Sequence, residues 1–361
     1  MSESAVIRIV AVDDSEDDRA RYEHRLHLPG LRVVPVIPNE HLAVKSIVDE
    51  KPDVVLIDYQ LNEVQPDGSH PSYLGSTLAA VLREKLPECP ILLVSRRSLI
   101  QSGTLNRARD LQSAFDDLFY KDEIFSDPRW FRDELRTLVQ GYRRLRSRRV
   151  RTWKAILTLL KANSEEGDLL ESADPPRDAR ADTWRVPEVA RWLRHTVLAY
   201  PGILCDSLHA SAALGLAKQS FTSSPIQRFF SGSRYRGPFA PKEGLWWKGR
   251  LVADAAELLQ RDDNSAPLSR FGEMWNSRHK RAERLAVCCT SRRSPADSVC
   301  YLLERPVLRK LSLPYHPDNR PSILDEARVS FKAIRESNSF EEQLVPKEAR
   351  GLIAAIQSRT K

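Results

Sequence analysis

Over its first 125 residues the chain alternates continuous apolar runs with charged segments of helical spacing. VIRIVAV (6–12) leads into SEDDRARYEHRLHL, and LRVVPVI (31–37) into NEHLAVKSIVDE, where Asn39 caps a face of Leu42, Val44, Ile47 and Val48. DVVLID (53–58) leads into LGSTLAAVLREKL, PILLVS (90–95) into a helix predicted near 103–114, and DLFYK (117–121) ends the series. Apolar runs without strict alternation belong to strands buried on both faces, and the helical segments cross from one strand to the next. The pattern predicts an α/β fold: a flavodoxin-like, five-stranded, doubly wound parallel sheet over residues 1–126.

The helical period continues beyond that point. Asp127 and Pro128 form a start signal. Trp130, Phe131, Leu135, Leu138, Val139, Tyr142 and Leu145 then recur at three- and four-residue intervals, followed by Val150, Trp153, Ile156, Leu157 and Leu160. This predicts a long connecting helix over 127–163, with Gly141 a weak point costing ~1 kcal/mol relative to alanine. The polar stretch 164–182, with its Pro175–Pro176 pair, reads as a linker. Residues 183–361 read as a mostly helical α+β second domain with a few short strands.

Composition changes this picture in two respects. Hydrophobic residues make up 41% and charged residues 29% of the 361, and no apolar run reaches the ~18 residues of a membrane span. The start MSESAVIRIVAVDD lacks the basic-then-apolar order of a secretory signal, and Cys89, Cys205, Cys288, Cys289 and Cys300 form no regular framework. A cytoplasmic protein with reduced thiols and no membrane role is expected. The net charge of +7 is unevenly distributed. Residues 1–126 hold 14 basic and 21 acidic side chains, whereas 127–163 hold 11 basic and 3 acidic. Such blocks bear on partners and solubility, not on the fold.

In an open α/β sheet, function collects at the carboxyl ends of the strands. The sequence places Asp13 and Asp14 after the first strand, Asp58 at the end of the third, Ser95 at the end of the fourth and Lys121 after the fifth. Three carboxylates in one crevice are unfavourable unless a cation neutralises them, and a hard divalent ion, Mg2+ by preference, meets that need. Lys121 offers a compact positive charge and Ser95 a hydroxyl to phosphoryl oxygens. Asp58 is then the nucleophile of an acyl phosphate.

This set, in this order, resembles the receiver domain of bacterial two-component response regulators over roughly residues 5–126. The resemblance implies that Asp58 accepts a phosphoryl group from a histidine kinase or phosphotransfer protein. It further implies that Asp14, Asp58 and the backbone carbonyl of Gln60 hold Mg2+ with Asp13 in support, and that Ser95 and Lys121 contact the phosphate. Three positions depart from the family pattern. Asp122 follows Lys121 where proline is usual, Leu118 stands where many receivers carry a switch aromatic, and Asn62 replaces a proline ahead of a lengthened loop. The Leu118 departure predicts activation that does not depend on an aromatic rotation.

The second half resembles no recognised family. LHASAALGLAKQSFTSSPIQRFF (208–230) can be read as a helix-turn-helix or as a plain helical hairpin; Pro225 interrupts the would-be recognition helix. RRLRSRRVR (143–151) could hold nucleic-acid phosphates, or be a solvated face or one that docks on an acidic surface. Arg234, Tyr235, Arg236, Trp246 and Trp247 have the composition of an interface hot spot, and the tryptophan pair equally that of a core. No metal-ligand spacing or phosphate-cradling loop is present in 183–361, and no reaction is assigned to it. The expected function is a response regulator whose phosphorylation controls binding of a protein partner, with a homodimer considered. Sequence-specific DNA binding and an enzymatic effector are the alternatives.

Overall fold

The computed structural model describes residues 6–38, 43–61, 73–97, 114–147, 152–176, 185–198, 201–260, 266–316 and 325–359. The chain forms two compact units. The first comprises Met1–Leu159, Pro176–Leu193 and Gly237–Phe239, and the second Leu160–Pro175, Arg194–Arg236 and Ala240–Lys361.

The first unit is built on five parallel strands: β1 (Ile7–Val12), β2 (Leu31–Val36), β3 (Val54–Asp58), β4 (Ile91–Ser95) and β5 (Asp117–Tyr120), in the order β2-β1-β3-β4-β5. This is the doubly wound, flavodoxin-like sheet that the apolar runs predict. Every residue of β3 and β4 is buried, which explains why their sequences do not alternate. Val10, Val55, Ile57 and Leu93 join Ile47, Leu78 and Leu82 from helices Val44–Asp49 and Gly75–Lys85 in one core. The strand order turns back between β1 and β3, so the crevice at their carboxyl ends lies at a topological switch point. Asn39, Leu42, the loop residues 62–72 and all but the last residue of the helix predicted near 103–114 lie outside the described residues.

Two helices stand where the periodicity predicts one. Asp127 caps the first, Pro128–Leu145, by accepting a hydrogen bond from the Trp130 amide at 3.0 Å. That helix ends at Leu145, and a second spans Trp153–Leu160. Phe131, Leu135, Leu138, Val139, Tyr142 and Leu145 are all buried, so the apolar stripe that could have formed a dimer seam is used inside the unit. Gly141 is not a weak point. A β-carbon there would lie 2.1 Å from the Phe239 ring, which packs edge-on against Tyr142. Part of the basic run is also engaged: Arg143 pairs with Asp53 at 2.8 Å, and Arg146 donates to the Glu88 carbonyl at 2.8 Å.

The second unit is helix-rich, with a four-stranded sheet in the order β10-β11-β8-β9 and a two-stranded one. The four strands are β8 (Ser298–Cys300), β9 (Arg305–Val307), β10 (Ser312–Pro314) and β11 (Arg328–Ser330); β6 (Leu204–Cys205) pairs with β7 (Trp246–Trp247). The 164–182 linker expectation needs correction at its start, because Ser164–Ser172 is a helix closed by a capping box between Asn163 and Glu166. Glu166 is buried and accepts from Arg250 Nε at 2.7 Å. The segment 208–230 folds as three short helices, Ser207–Ala213, Lys218–Phe221 and Ser224–Phe229. The middle one has four residues, too short for a helix that reads a major groove.

Candidate functional site

Register decides which side chains meet. Val12 of β1 faces Ile57 of β3, so Asp13 and Asp14 leave the sheet beside Asp58. Asp58 pairs with Val94 of β4, and Ser95 with Tyr120 of β5, which brings Ser95 and Lys121 to the same rim. Ligand oxygens of Asp13, Asp14 and Asp58 lie within 4.8 Å of one another, and all three residues are buried. Lys121, itself buried, directs its ammonium into the cluster. Its Nζ lies 2.8 Å from Asp58 Oδ2, 2.7 Å from Asp13 Oδ2 and 2.8 Å from Asp18 Oδ2. The bonds to Asp58 and Asp18 are aligned as hydrogen bonds, while the Asp13 contact is an ion pair without that alignment.

Local chemistry fixes these positions. Asp13 Oδ1 accepts from the Ser15 amide at 3.0 Å, and Ser15 caps helix Glu16–Arg25. Arg19 donates to the carbonyls of Asp13 and Asp14 at 2.7 and 2.8 Å, clamping the turn that presents both acids. Asp58 Oδ1 accepts from the Tyr59 amide at 2.7 Å, leaving Oδ2 to Lys121. Gly75 lets its helix approach the end of β3: a β-carbon there would lie 2.0 Å from the Asp58 carbonyl oxygen. Gln60 follows Asp58 by two residues and is half-buried. Ser95 is fully buried, and its Oγ has no hydrogen-bond partner among the described residues. A buried hydroxyl of this kind is costly unless something else comes to occupy it.

The electrostatics follow from burial. Burial pushes the Asp13 carboxyl up to about 7; Lys121 opposes the rise and Asp58 adds to it. Burial likewise raises Asp58, again against Lys121. For Lys121, burial works to lower the ammonium, but Asp13 and Asp58 outweigh it and hold it above the usual lysine range. Three buried carboxylates facing one ammonium leave a deficit of positive charge. An all-oxygen donor set of this kind fits a hard divalent cation. Asp13, Asp14 and Asp58 are the residues that would hold it.

Sequence reasoning did not single out Asp18, Arg96, Arg19 or Gly75. Asp18 reads as one of several first-turn acids, and only β5 lying across the sheet brings Lys121 to it. Leu118 packs on the core beside β4, while Tyr120 lies under the Arg97 guanidinium at 4.8 Å, with Arg97 also paired to Glu123. The expected partner surface at 234–247 is corrected in part. Tyr235, Trp246 and Trp247 are buried, Tyr235 against Trp247 at 5.6 Å and Trp246 against Phe221 at 4.9 Å. Arg234 and Arg236 alternate outward. Tyr235 is buried between these two exposed arginines, and Arg234, bridged to Trp246, lays its guanidinium 5.9 Å from the centre of that ring.

Among the described residues no helix is long and apolar enough to cross a membrane. No protein-family description matches the chain, and no curated protein matches it. Solved structures similar to it include the response regulator TrrA of Thermotoga maritima in complex with Mg2+ and BeF, at 24% identity over 36% of this chain and 99% of that one, with a TM-score of 0.28. The response regulator domain of Thermotoga maritima CheB matches at 21% identity over 37% of this chain and 96% of its own, with a TM-score of 0.30. The BeF3-activated receiver domain of Klebsiella pneumoniae RstA matches at 26% identity over 32% and 85%, with a TM-score of 0.25. The likeness covers about a third of the chain, and that third resembles response-regulator receiver domains.

Proposed function

We propose that the first unit is a phosphoryl-accepting switch, with Asp58 the acceptor, and that its state controls the second unit. One observation carries the reading: Lys121 Nζ sits 2.8 Å from Asp58 Oδ2 at the edge of a buried three-carboxylate cluster. The donor is a phosphohistidine on a histidine kinase or phosphotransfer protein. The Asp58 carboxylate oxygen attacks phosphorus, the P–N bond breaks, and the departing imidazole takes up a proton, leaving an acyl phosphate. Asp13, Asp14, Asp58 and the Gln60 carbonyl would hold Mg2+, which would supply charge neutralisation for the phosphoryl oxygens. Lys121 turns one of its N–H groups from Asp58 to a phosphoryl oxygen. Ser95, whose hydroxyl has no partner among the described residues, donates to another.

The second unit is the output, and we infer that it acts by binding a protein partner in the cytoplasm. Its exposed arginines Arg234 and Arg236 are retained as partner contacts, while the neighbouring rings form the core beneath them. Labelling by a small phosphodonor tests the acceptor. The parent should incorporate phosphate only with magnesium present, and Asp58→Asn should incorporate none. Equal labelling of the variant would reject Asp58 as the acceptor.

A further inference from the structure

Asp18 presents a feature that the acceptor chemistry does not require. It is a fourth carboxylate at the pocket, 1% exposed, on the first turn of helix Glu16–Arg25. Its Oδ2 accepts from Lys121 Nζ at 2.8 Å and from Arg96 Nη2 at 3.3 Å, and its Oδ1 faces Arg21 at 3.4 Å. Glu16 and Asp17 already place acid at the positive end of that helix from exposed positions. A buried acid beside two raised carboxyls is unfavourable unless it holds something in place.

Besides Lys121, it holds Arg96, the residue after Ser95. The Arg96 side chain is 56% exposed, so it stands at the rim of the pocket with one end drawn inward by Asp18. We propose that Asp18 is a positioning residue that fixes Arg96 across the mouth of the acid pocket, where the guanidinium meets the anionic phosphoryl donor. This rests on the acceptor reading of Asp58.

Charge balance makes the arrangement coherent. Asp13, Asp14 and Asp58 carry three negative charges, offset by Lys121 and a divalent cation. The Asp18–Arg96 pair adds one charge of each sign and leaves the balance unchanged. An arginine can therefore be fixed at the mouth without repelling the metal. The charges of Asp58 and Asp13 also reach Arg96, placing it within electrostatic range of the acceptor. A long half-exposed side chain samples many rotamers, and a buried carboxylate at one end removes most of that freedom before the donor arrives.

The test compares full-length parent, Asp18→Asn, Arg96→Ala and the double variant. It measures the initial rate of phosphorylation by acetyl phosphate and the affinity for beryllofluoride with magnesium. Each single variant should lose roughly tenfold in rate, the worth of one oriented charge-assisted contact, and bind beryllofluoride correspondingly more weakly. The double variant should lose clearly less than the product of the two single losses, because Asp18 acts through Arg96 as well as through its bond to Lys121. Arg96→Lys should recover part of the loss, and the parent's advantage should shrink as salt rises. A purely structural Asp18 would instead lower the melting temperature, with effects that multiply with those of Arg96→Ala and ignore salt. Parental rates in Arg96→Ala, or multiplicative losses in the double variant, overturn the proposal. Should Asp18→Asn fail to fold, Arg96→Glu decides: a loss beyond that of Arg96→Ala supports the proposal and an equal rate refutes it. Asp58→Asn is run alongside. If it stays unlabelled while the Arg96 variants behave as the parent, only the Asp18 inference fails; if it is labelled, the acceptor reading fails.

Discussion

Removing the Asp13 charge should stabilise the first unit, by an amount that grows with pH. The Asp13 carboxyl is pushed up to about 7 in the folded protein from the ordinary 3.8, chiefly by burial. An acid raised on folding binds its proton more tightly in the native state. Its contribution to stability is therefore complete at low pH and is lost as pH climbs from about 4 to about 7. Each pH unit is worth ~1.4 kcal/mol, so three units amount to ~4 kcal/mol, an upper value because Lys121 keeps Asp18 and Asp58 as partners. Asp13→Asn, which resembles the protonated acid in shape and charge, should match the parent near pH 4 and exceed it by a few kcal/mol above pH 7. Magnesium should reverse the trend for the parent, since the ionised carboxylate is the form that binds a cation. Amide hydrogen exchange in peptides covering β1 and β3, with chelator or with magnesium, reads the first unit alone and needs no single two-state transition of the whole chain. Parallel stability profiles for parent and variant across this range would refute the electrostatic account of the pocket.

Two further substitutions test packing and capping. Gly141→Ala would gain ~1 kcal/mol if helix propensity ruled, but the methyl group would meet the Phe239 ring, so a net loss of ~1–3 kcal/mol is expected. A raised melting temperature would show that the ring moves aside freely. Asn163→Ala should cost ~1 kcal/mol and loosen the amides of 164–172, because the capping box is lost while Glu166 keeps its bond to Arg250. Unchanged protection there would mean that the Arg250 pair alone holds the helix.

The strands of the first unit could be read from the chain because a parallel sheet covered on both faces demands continuous apolar runs, a local property. Asp13, Asp14, Asp58, Ser95 and Lys121 were legible for a related reason: each stands at the end of such a run, and register then brings run-ends together. Asp58 and Lys121 needed no knowledge of side-chain geometry to be paired. The overlooked capping box was legible too, since Asn163 and Glu166 stand at the required spacing; the polar composition around them masked it.

The features that escaped share a different cause, which is that their meaning depends on a partner far along the chain. Gly141 looks like a helix defect until Phe239 fills the space it leaves. Tyr235, Trp246 and Trp247 have the same composition whether they face water or a core, and what decides is their ring partners, Phe221 against Trp246 and Tyr235 against Trp247. Asp18 is the sharpest case. In DDSEDD it is one acid among five, favourable at the start of any helix. Its significance comes from Lys121 on one side and Arg96 on the other, contributed by the ends of β5 and β4, which the register brings to the same rim. The step from placing strand ends at one rim to pairing their charges is therefore short. A carboxylate in the first turn of the helix that follows the first strand can reach both the lysine that follows β5 and the residue that follows the hydroxyl of β4. Wherever an acid stands there and an arginine follows the hydroxyl, the two should be bonded, and the mouth of the pocket should carry a fixed guanidinium.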